Sequence, residues 1–407
     1  MLGWIRSRNG PGGMIQPFPL LELLIPTVAI FLVGWLVSFY MTRRLHWSLF
    51  VALIKALLFI CYYGLVFDGT FTFLDDWSYL ERGALLRDAG ISLLNAPANL
   101  ELLFDVAGSR HFIYYLFNAD AFRIFGDGYY SPVALNVMLT FVAAGLMAAA
   151  ARRGLSFSQS LTVGLFVFIA LHPDILAWST LINVKDTLVL VFTALAIFAV
   201  SLAEDRRYML AVLLGLIVGS ILLFTRFYVP LMLLAALFGA VLLSSVGRHR
   251  LLLWLLVPAG FMVLVSILGA SRITDSYELL KTDFVNPFYG VLRIALTPIP
   301  FNATADYAFL NLPQVFHWLL LPMLIFGMYR VWRRDTLTAR FVVIYFMLML
   351  GLYGIFGELQ GPRHRYQLDG LIGLFQFYGI TGLLVQIMPR QIQEWQLIRS
   401  VDRVSRA

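Results

Sequence analysis

The sequence predicts an all-α polytopic membrane protein with about eleven transmembrane helices, and three observations carry that prediction. Of 407 residues, 60% are hydrophobic and 13% charged, at a mean hydropathy of +0.82. That is more apolar surface than a soluble domain can hide. Charge-poor runs of roughly 20 residues recur from end to end, each long enough to cross about 30 Å of hydrocarbon as a helix. The period-two alternation of a membrane β-barrel is absent, which leaves the helix as the way to satisfy the backbone in lipid.

In chain order, residues 1–19 contain Gly and Arg and read as a flexible N-terminus. A single integral-membrane helical domain follows over residues 20–388. Its spans read approximately as 20–41, 47–67, 130–150, 157–172, 183–203, 209–225, 228–245, 251–269, 313–330, 340–357 and 366–388. The first run is too long for a signal-peptide core and is followed by Arg43-Arg44. No cleaved signal is therefore expected. Long connections cover 68–129 and 271–312, with shorter ones at 172–186, 225–230 and 358–369. Within the first, Trp77 to Asp88 and Leu100 to Phe125 mix apolar and charged positions at near-helical spacing, as helices lying in the membrane interface do. Residues 389–407 form a basic tail.

Alternate short connections hold Arg43-Arg44, Arg152-Arg153, Arg206-Arg207, Arg248 with Arg250, Arg330 to Arg340, and the tail with Arg390, Arg399, Arg403 and Arg406. With about eleven spans these share one side, which the positive-inside rule makes cytoplasmic. The tail is then inside and the long connections outside, in a bacterial inner (plasma) membrane facing the periplasm. This asymmetry accounts for the net charge of +7, so a nucleic-acid partner is not expected. Cys61 is the only cysteine, which excludes an intrachain disulfide framework and a cysteine metal site.

Ionisable residues at the outer boundary carry the candidate chemistry. Asp75-Asp76 stand where an apolar span ends and the first long connection begins. One reading is structural: Asp75 caps a helix starting near Trp77 and Asp76 complements its positive end. The other is catalytic, with one carboxylate as general base and its neighbour raising the base's pKa or helping to hold a divalent ion. Arg363-His364-Arg365-Tyr366 precede the last span, against the positive-inside bias. They either snorkel or grip a lipid phosphate at headgroup level. Lys185-Asp186 either pair and cap a helix, or Lys185 neutralises a leaving phosphate while Asp186 holds the ammonium in place. Arg226, in Thr-Arg-Phe-Tyr-Val-Pro230, is a further outer cation. Such groups gathered on one side of a membrane mark function. The six His residues are scattered, and no zinc-protease, nucleophile-elbow, P-loop or dinucleotide motif is present. No organic cofactor is expected.

This pattern resembles the GT-C superfamily of polyprenyl-phosphate-sugar-dependent glycosyltransferases. The resemblance rests on Asp75-Asp76 opening the first large external loop, on two interfacial helices in that loop, and on Arg365-Tyr366 before a late span. It extends loosely over residues 49–388. It implies a GT-C-like fold, Asp75 or Asp76 as the base, and Arg363 and Arg365 on the donor phosphate. The partners implied are a polyprenyl-phosphate-linked sugar donor, a glycan or lipid acceptor, and membrane lipids. The chain differs from the family in placing the acidic loop after the second span, and in following Arg365-Tyr366 with Gln367-Leu368-Asp369. Two alternatives stand beside it. One is a polysaccharide polymerase or ligase using a diphosphate-linked donor. The other is a lipid-linked-sugar flippase, for which mid-membrane charges, broken helices and two related halves are the signs. Lys55 is the main charge inside a span.

Overall fold

The computed structural model describes residues 17–107, 112–243, 259–260, 286–359 and 361–387. The start of the chain, most of the span expected at 251–269 and the basic tail lie outside the described residues. Everything described is helix, turn or loop, without a β-strand.

The chain opens on a hairpin, α1 (Leu20–Thr42) and α2 (Leu45–Cys61), the latter continued by a π-helical turn over Tyr62–Val66. Arg43 makes the reversal in a left-handed conformation, φ 53°. Three short helices fill the first long connection: α3 (Leu74–Asp88), α4 (Leu100–Ala107) and α5 (Phe112–Phe125). The segment expected as one interfacial helix from Leu100 to Phe125 is thus two. Next come α6 (Tyr130–Gly154), α7 (Gln159–Ala170), α8 (Pro173–Leu181), α9 (Asp186–Glu204), α10 (Tyr208–Leu223) and α11 (Tyr228–Leu243). The C-terminal part holds α12 (Pro287–Leu296), α13 (Asn311–Leu319), α14 (Leu321–Trp332), α15 (Leu337–Ile355), the short α16 (Pro362–Tyr366) and α17 (Asp369–Ile387).

Among the described residues, six helices are long and apolar enough to cross a membrane: α1, α2 with its π turn, α6, α9, α15 and α17. Two bent pairs, α7–α8 at 44° and α13–α14 at 54°, raise the number to eight if each is one span. Eleven spans are not shown, and the one expected at 251–269 lies largely outside the described residues. The apolar runs at 209–225 and 228–245 are helices of only 16 residues each, shorter than the roughly 20 that cross unaided. The connection expected at 172–186 is largely α8, because Pro173 sits where a helix tolerates it, in the first turn.

Burial separates centre from periphery. The best apolar window of α9 is 78% buried and that of α6 72%, against 22% for α1. The two central helices pack on each other. α1 presents Leu21, Leu24, Ile25, Leu32 and Leu36 outward; on a helix of this length, lipid is the solvent that suits them.

The chain runs back and forth between two ends. At one, Arg153 pairs with Asp205 (2.9 Å), Thr336 donates to the Gly154 carbonyl (2.7 Å), and the Thr338 amide donates to Glu204 (2.6 Å). This end gathers Arg152, Arg153, Arg206, Arg207, Arg333 and Arg334. The opposite end gathers α3–α5, residues 182–186, the turn at 224–228 and α16.

Helices α14 and α17 touch backbone to backbone. A Cβ on Gly327 would collide with the Phe375 carbonyl, and one on Gly379 with that of Met323. Small residues that let helices approach this closely are a lipid-phase packing device. Gly379→Leu is expected to lower stability by about 1–3 kcal/mol through overpacking, read as a fall in thermal midpoint in detergent, whereas Gly215→Leu, where an added Cβ meets nothing within 4 Å, leaves it near wild type.

Candidate functional site

The two adjacent aspartates have different fates, and local helix chemistry decides them. The first turn of α3 leaves backbone amides without intrahelical partners. Asp76, three residues after the N-cap Phe73, turns back to meet them: its carboxylate accepts from the Phe73 amide (2.9 and 3.0 Å) and the Trp77 amide (2.8 Å). Tyr129 donates to the same carboxylate at 2.5 Å. Asp76 is 1% exposed. The capping residue is therefore Asp76, on a helix starting at Leu74, rather than Asp75 on one starting near Trp77. Asp75 keeps its side chain 61% exposed and points to Arg363, 2.9 Å away.

Behind Asp76 lies a buried polar network. Tyr129 accepts from the Asn183 amide (3.2 Å). The Asn183 side chain donates to Asn118 (2.8 Å) and accepts from Tyr114 (2.6 Å), and Asn136 donates to the Tyr114 hydroxyl (3.0 Å). These bonds fix the loop 182–185 against α3, α5 and α6, and so place Lys185 and Asp186.

Asp186 is the hub. Fully buried at the start of α9, its carboxylate accepts from Arg226 (3.0 Å), Arg363 (2.7 Å) and Gln367 (2.5 Å). The pairing expected between Lys185 and Asp186 is not the one that forms, since two arginines occupy the carboxylate. Arg363 bridges outward as well, through its bond to Asp75 and another to the Tyr79 hydroxyl (3.1 Å). Tyr79 lies one helical turn after Asp75. Lys185 is 3% exposed and rests over the Tyr79 ring, Nζ 5.5 Å from its centroid. Among the described residues its ammonium makes no hydrogen bond or ion pair, and Arg226 Nε has no partner either. The site holds spare donors.

Asp75, Lys185, Arg226, Arg363 and His364 thus gather at one place from α3, the 182–185 loop, the turn before α11, and α16. Arg365 and Tyr366 face elsewhere. Arg365 is 3% exposed and donates to the Thr297 carbonyl (2.7 Å) and Gln314 (2.6 Å). Tyr366 stacks on Trp178 (centroids 5.8 Å, 21°) with its hydroxyl 3.0 Å from Thr187. Tyr79, Tyr129, Asn183 and Gln367 complete the site without having been singled out. Of these, Tyr79 was within reach of the sequence, four residues after Asp75.

Burial sets the protonation states. It would raise Asp75, but the charge and hydrogen bond of Arg363, with Lys185 and Arg226 behind it, hold that carboxyl below its ordinary value. Burial pushes Asp76 up to about 6, against the donors Tyr129, Phe73 and Trp77. Burial, then Arg226, depresses Lys185 well below a normal lysine, while Asp186 opposes. His364 is pushed down to about 3 by burial and Arg226, which favours the neutral ring. Asp76 has the value nearer neutrality, but its oxygens are spent on the helix terminus. A base must first reach its proton, and Asp75 is the carboxylate that reaches solvent. Among the described residues no three His, Cys, Asp or Glu side chains converge as a metal site.

Asp76 also gives a pH signature. Its native value of about 6 lies above the ordinary 3.8, so the native state holds the proton more tightly than the unfolded chain. The resulting stabilisation is full in acid and is lost as pH rises through about 6. Asp76→Asn, which keeps an acceptor for the Phe73 amide, is expected to flatten that part of the profile of thermal midpoint against pH; Asp75→Asn leaves it in place.

Comparison of the chain with families of known proteins, with characterised proteins and with solved structures finds no match.

Proposed function

We propose that the chain is a GT-C-like membrane glycosyltransferase that moves a sugar from a polyprenyl-phosphate donor to a hydroxyl acceptor at the external face of a bacterial inner membrane. The observation that carries this reading is the pairing of an exposed carboxylate, Asp75, with the Arg363 guanidinium, backed by Lys185 and Arg226 with donor positions unfilled. An acceptor hydroxyl needs a base, and a departing lipid phosphate needs cations away from bulk water.

The same pair supplies a gate. A donor phosphate that takes Arg363 releases Asp75, whose carboxyl then loses the cation that depresses it and becomes a stronger base. Asp75 accepts the proton of the acceptor hydroxyl as that oxygen bonds to the anomeric carbon. The bond from that carbon to the phosphate oxygen breaks, the electron pair leaves with polyprenyl phosphate, and configuration inverts. Arg363, Arg226 and Lys185 hold the leaving group. Arg363 also anchors on Asp186, which aims its planar fork.

A lipid-linked-sugar flippase is the second reading, and a specific observation favours it. Two apolar helix pairs are broken, α7–α8 and α13–α14, and Asp174, Arg365 and Asp369 are buried at the foot of the site. Broken helices beside buried charge are where transporters bind substrates.

Purified protein in liposomes, supplied with labelled polyprenyl-phosphate sugars, separates the two. Release of free polyprenyl phosphate is expected, and Asp75→Asn is expected to cut it by about 10²–10⁴-fold with a much smaller loss for Asp76→Asn. Arg363→Lys is expected to raise the donor concentration required, since a point charge replaces a two-point grip. Donor that crosses the bilayer intact, at a rate indifferent to Asp75→Asn, would replace the transferase with the flippase.

A further inference from the structure

A second cluster of ionisable side chains lies beneath the site, and the proposed chemistry does not use it. Asp174 (0% exposed) comes from the first turn of α8, Arg365 (3%) from α16 and Asp369 (1%) from the start of α17, four residues after Arg365 and near enough to feel the charges of both Asp174 and Arg365. Arg365 Nη2 approaches Asp174 at 3.6 Å, but the guanidinium gives its short bonds to the neutral oxygens of Thr297 and Gln314. Among the described residues none of the four carboxylate oxygens has a hydrogen-bond partner, nor has Arg365 Nε.

The two neighbouring imidazoles do not balance the charge. His317, from α13, faces the Ala295 carbonyl through Nε2 (3.0 Å). A carbonyl only accepts, so that nitrogen carries the hydrogen. His172, at the start of α8, meets Gln376 Oε1 of α17 in the same way (2.9 Å). Among the described residues both Nδ1 atoms are buried without a partner. Charging either ring would bury a second, cationic N–H with no acceptor, so this geometry favours neutral rings, and the packed elements bring two carboxylates against one guanidinium.

We propose that the Asp174–Arg365–Asp369 cluster is a proton-binding site: its carboxylate pair holds one proton, which brings the buried group to zero net charge. The inference follows from two counts. Charge sums to minus one among side chains buried from the surface, an arrangement that polar burial strongly penalises. Acceptors outnumber donors, and a protonated carboxyl supplies the hydrogen that is missing. A metal cation would relieve the charge too, but no cage of ligands converges on it among the described residues. The site is independent of the glycosyltransferase reading.

Infrared spectroscopy of the whole protein in lipid nanodiscs tests this, at mildly alkaline pH where Asp76 is ionised. Wild type is expected to show the carbonyl stretch of a protonated carboxylic acid, shifted in heavy water. Asp369→Asn and Asp174→Asn are each expected to lose it, because one remaining carboxylate balances Arg365. Both singles should keep a thermal midpoint at or above wild type. The double variant, with Arg365 unbalanced, should melt below either single, which ties any loss of the band to charge rather than to misfolding. A wild type without the band, a band that persists in both single variants, or a sodium-dependent midpoint without the band would each overturn the proposal.

Discussion

The Asp186 carboxylate is the constraint on which this end of the molecule depends. A bare carboxylate with no exposure is among the most unfavourable groups a membrane helix can start with. Arg226, Arg363 and Gln367 bond it, so α9, the turn before α11, and the segment from α16 to α17 are held to one point. Removing either arginine leaves a charge poorly matched in the interior, and such losses exceed the net worth of the pair. Because Arg363 is shared, the strength with which Asp186 holds it also sets how tightly Asp75 is held. Structure and reactivity meet in one side chain.

Helical class and membrane residence were legible from composition alone, because lipid admits few backbone solutions. The gathering of Asp75, Lys185, Arg226 and Arg363 was legible as a set of outer-boundary charges, since burying an ionisable group near lipid demands a reason. The number of spans was legible only in part. Apolar runs identify helices, but whether 16 residues tilt, stop short or bend depends on what they pack against, as the broken α7–α8 and α13–α14 pairs show. The different fates of Asp75 and Asp76 were equally hidden. They follow from the helix starting at Leu74 instead of near Trp77, a boundary shift well inside what sequence patterns resolve. Arg365 was hidden too: two positions after Arg363 on a short helix, it turns to the other face.

The buried polar content is high for a chain of this hydropathy, and it is layered. Nearest α5 and α6 is a neutral network of Tyr129, Asn183, Tyr114, Asn118 and Asn136, in which nearly every donor finds an acceptor. Such satisfied networks specify one geometry. Next comes the ionic hub at Asp186, paired but with spare donors, and below it the unsatisfied carboxylates of Asp174 and Asp369. Order of satisfaction runs from rigid support to groups still able to take a ligand.

The contact between α14 and α17 bears on where the molecule yields. With carbonyls seated against Gly327 and Gly379, and Arg330 of α14 donating to the Tyr378 carbonyl of α17, sliding between these two helices meets backbone directly. They behave as one beam. Compliance at the far end then belongs to the other partner, α3 with its neighbouring short helices, which meets the beam's extension at Arg363 through Asp75 and Tyr79. A ligand that took Arg363 from Asp75 and Tyr79 would therefore be felt first by α3, and the paired helices would stay as they are.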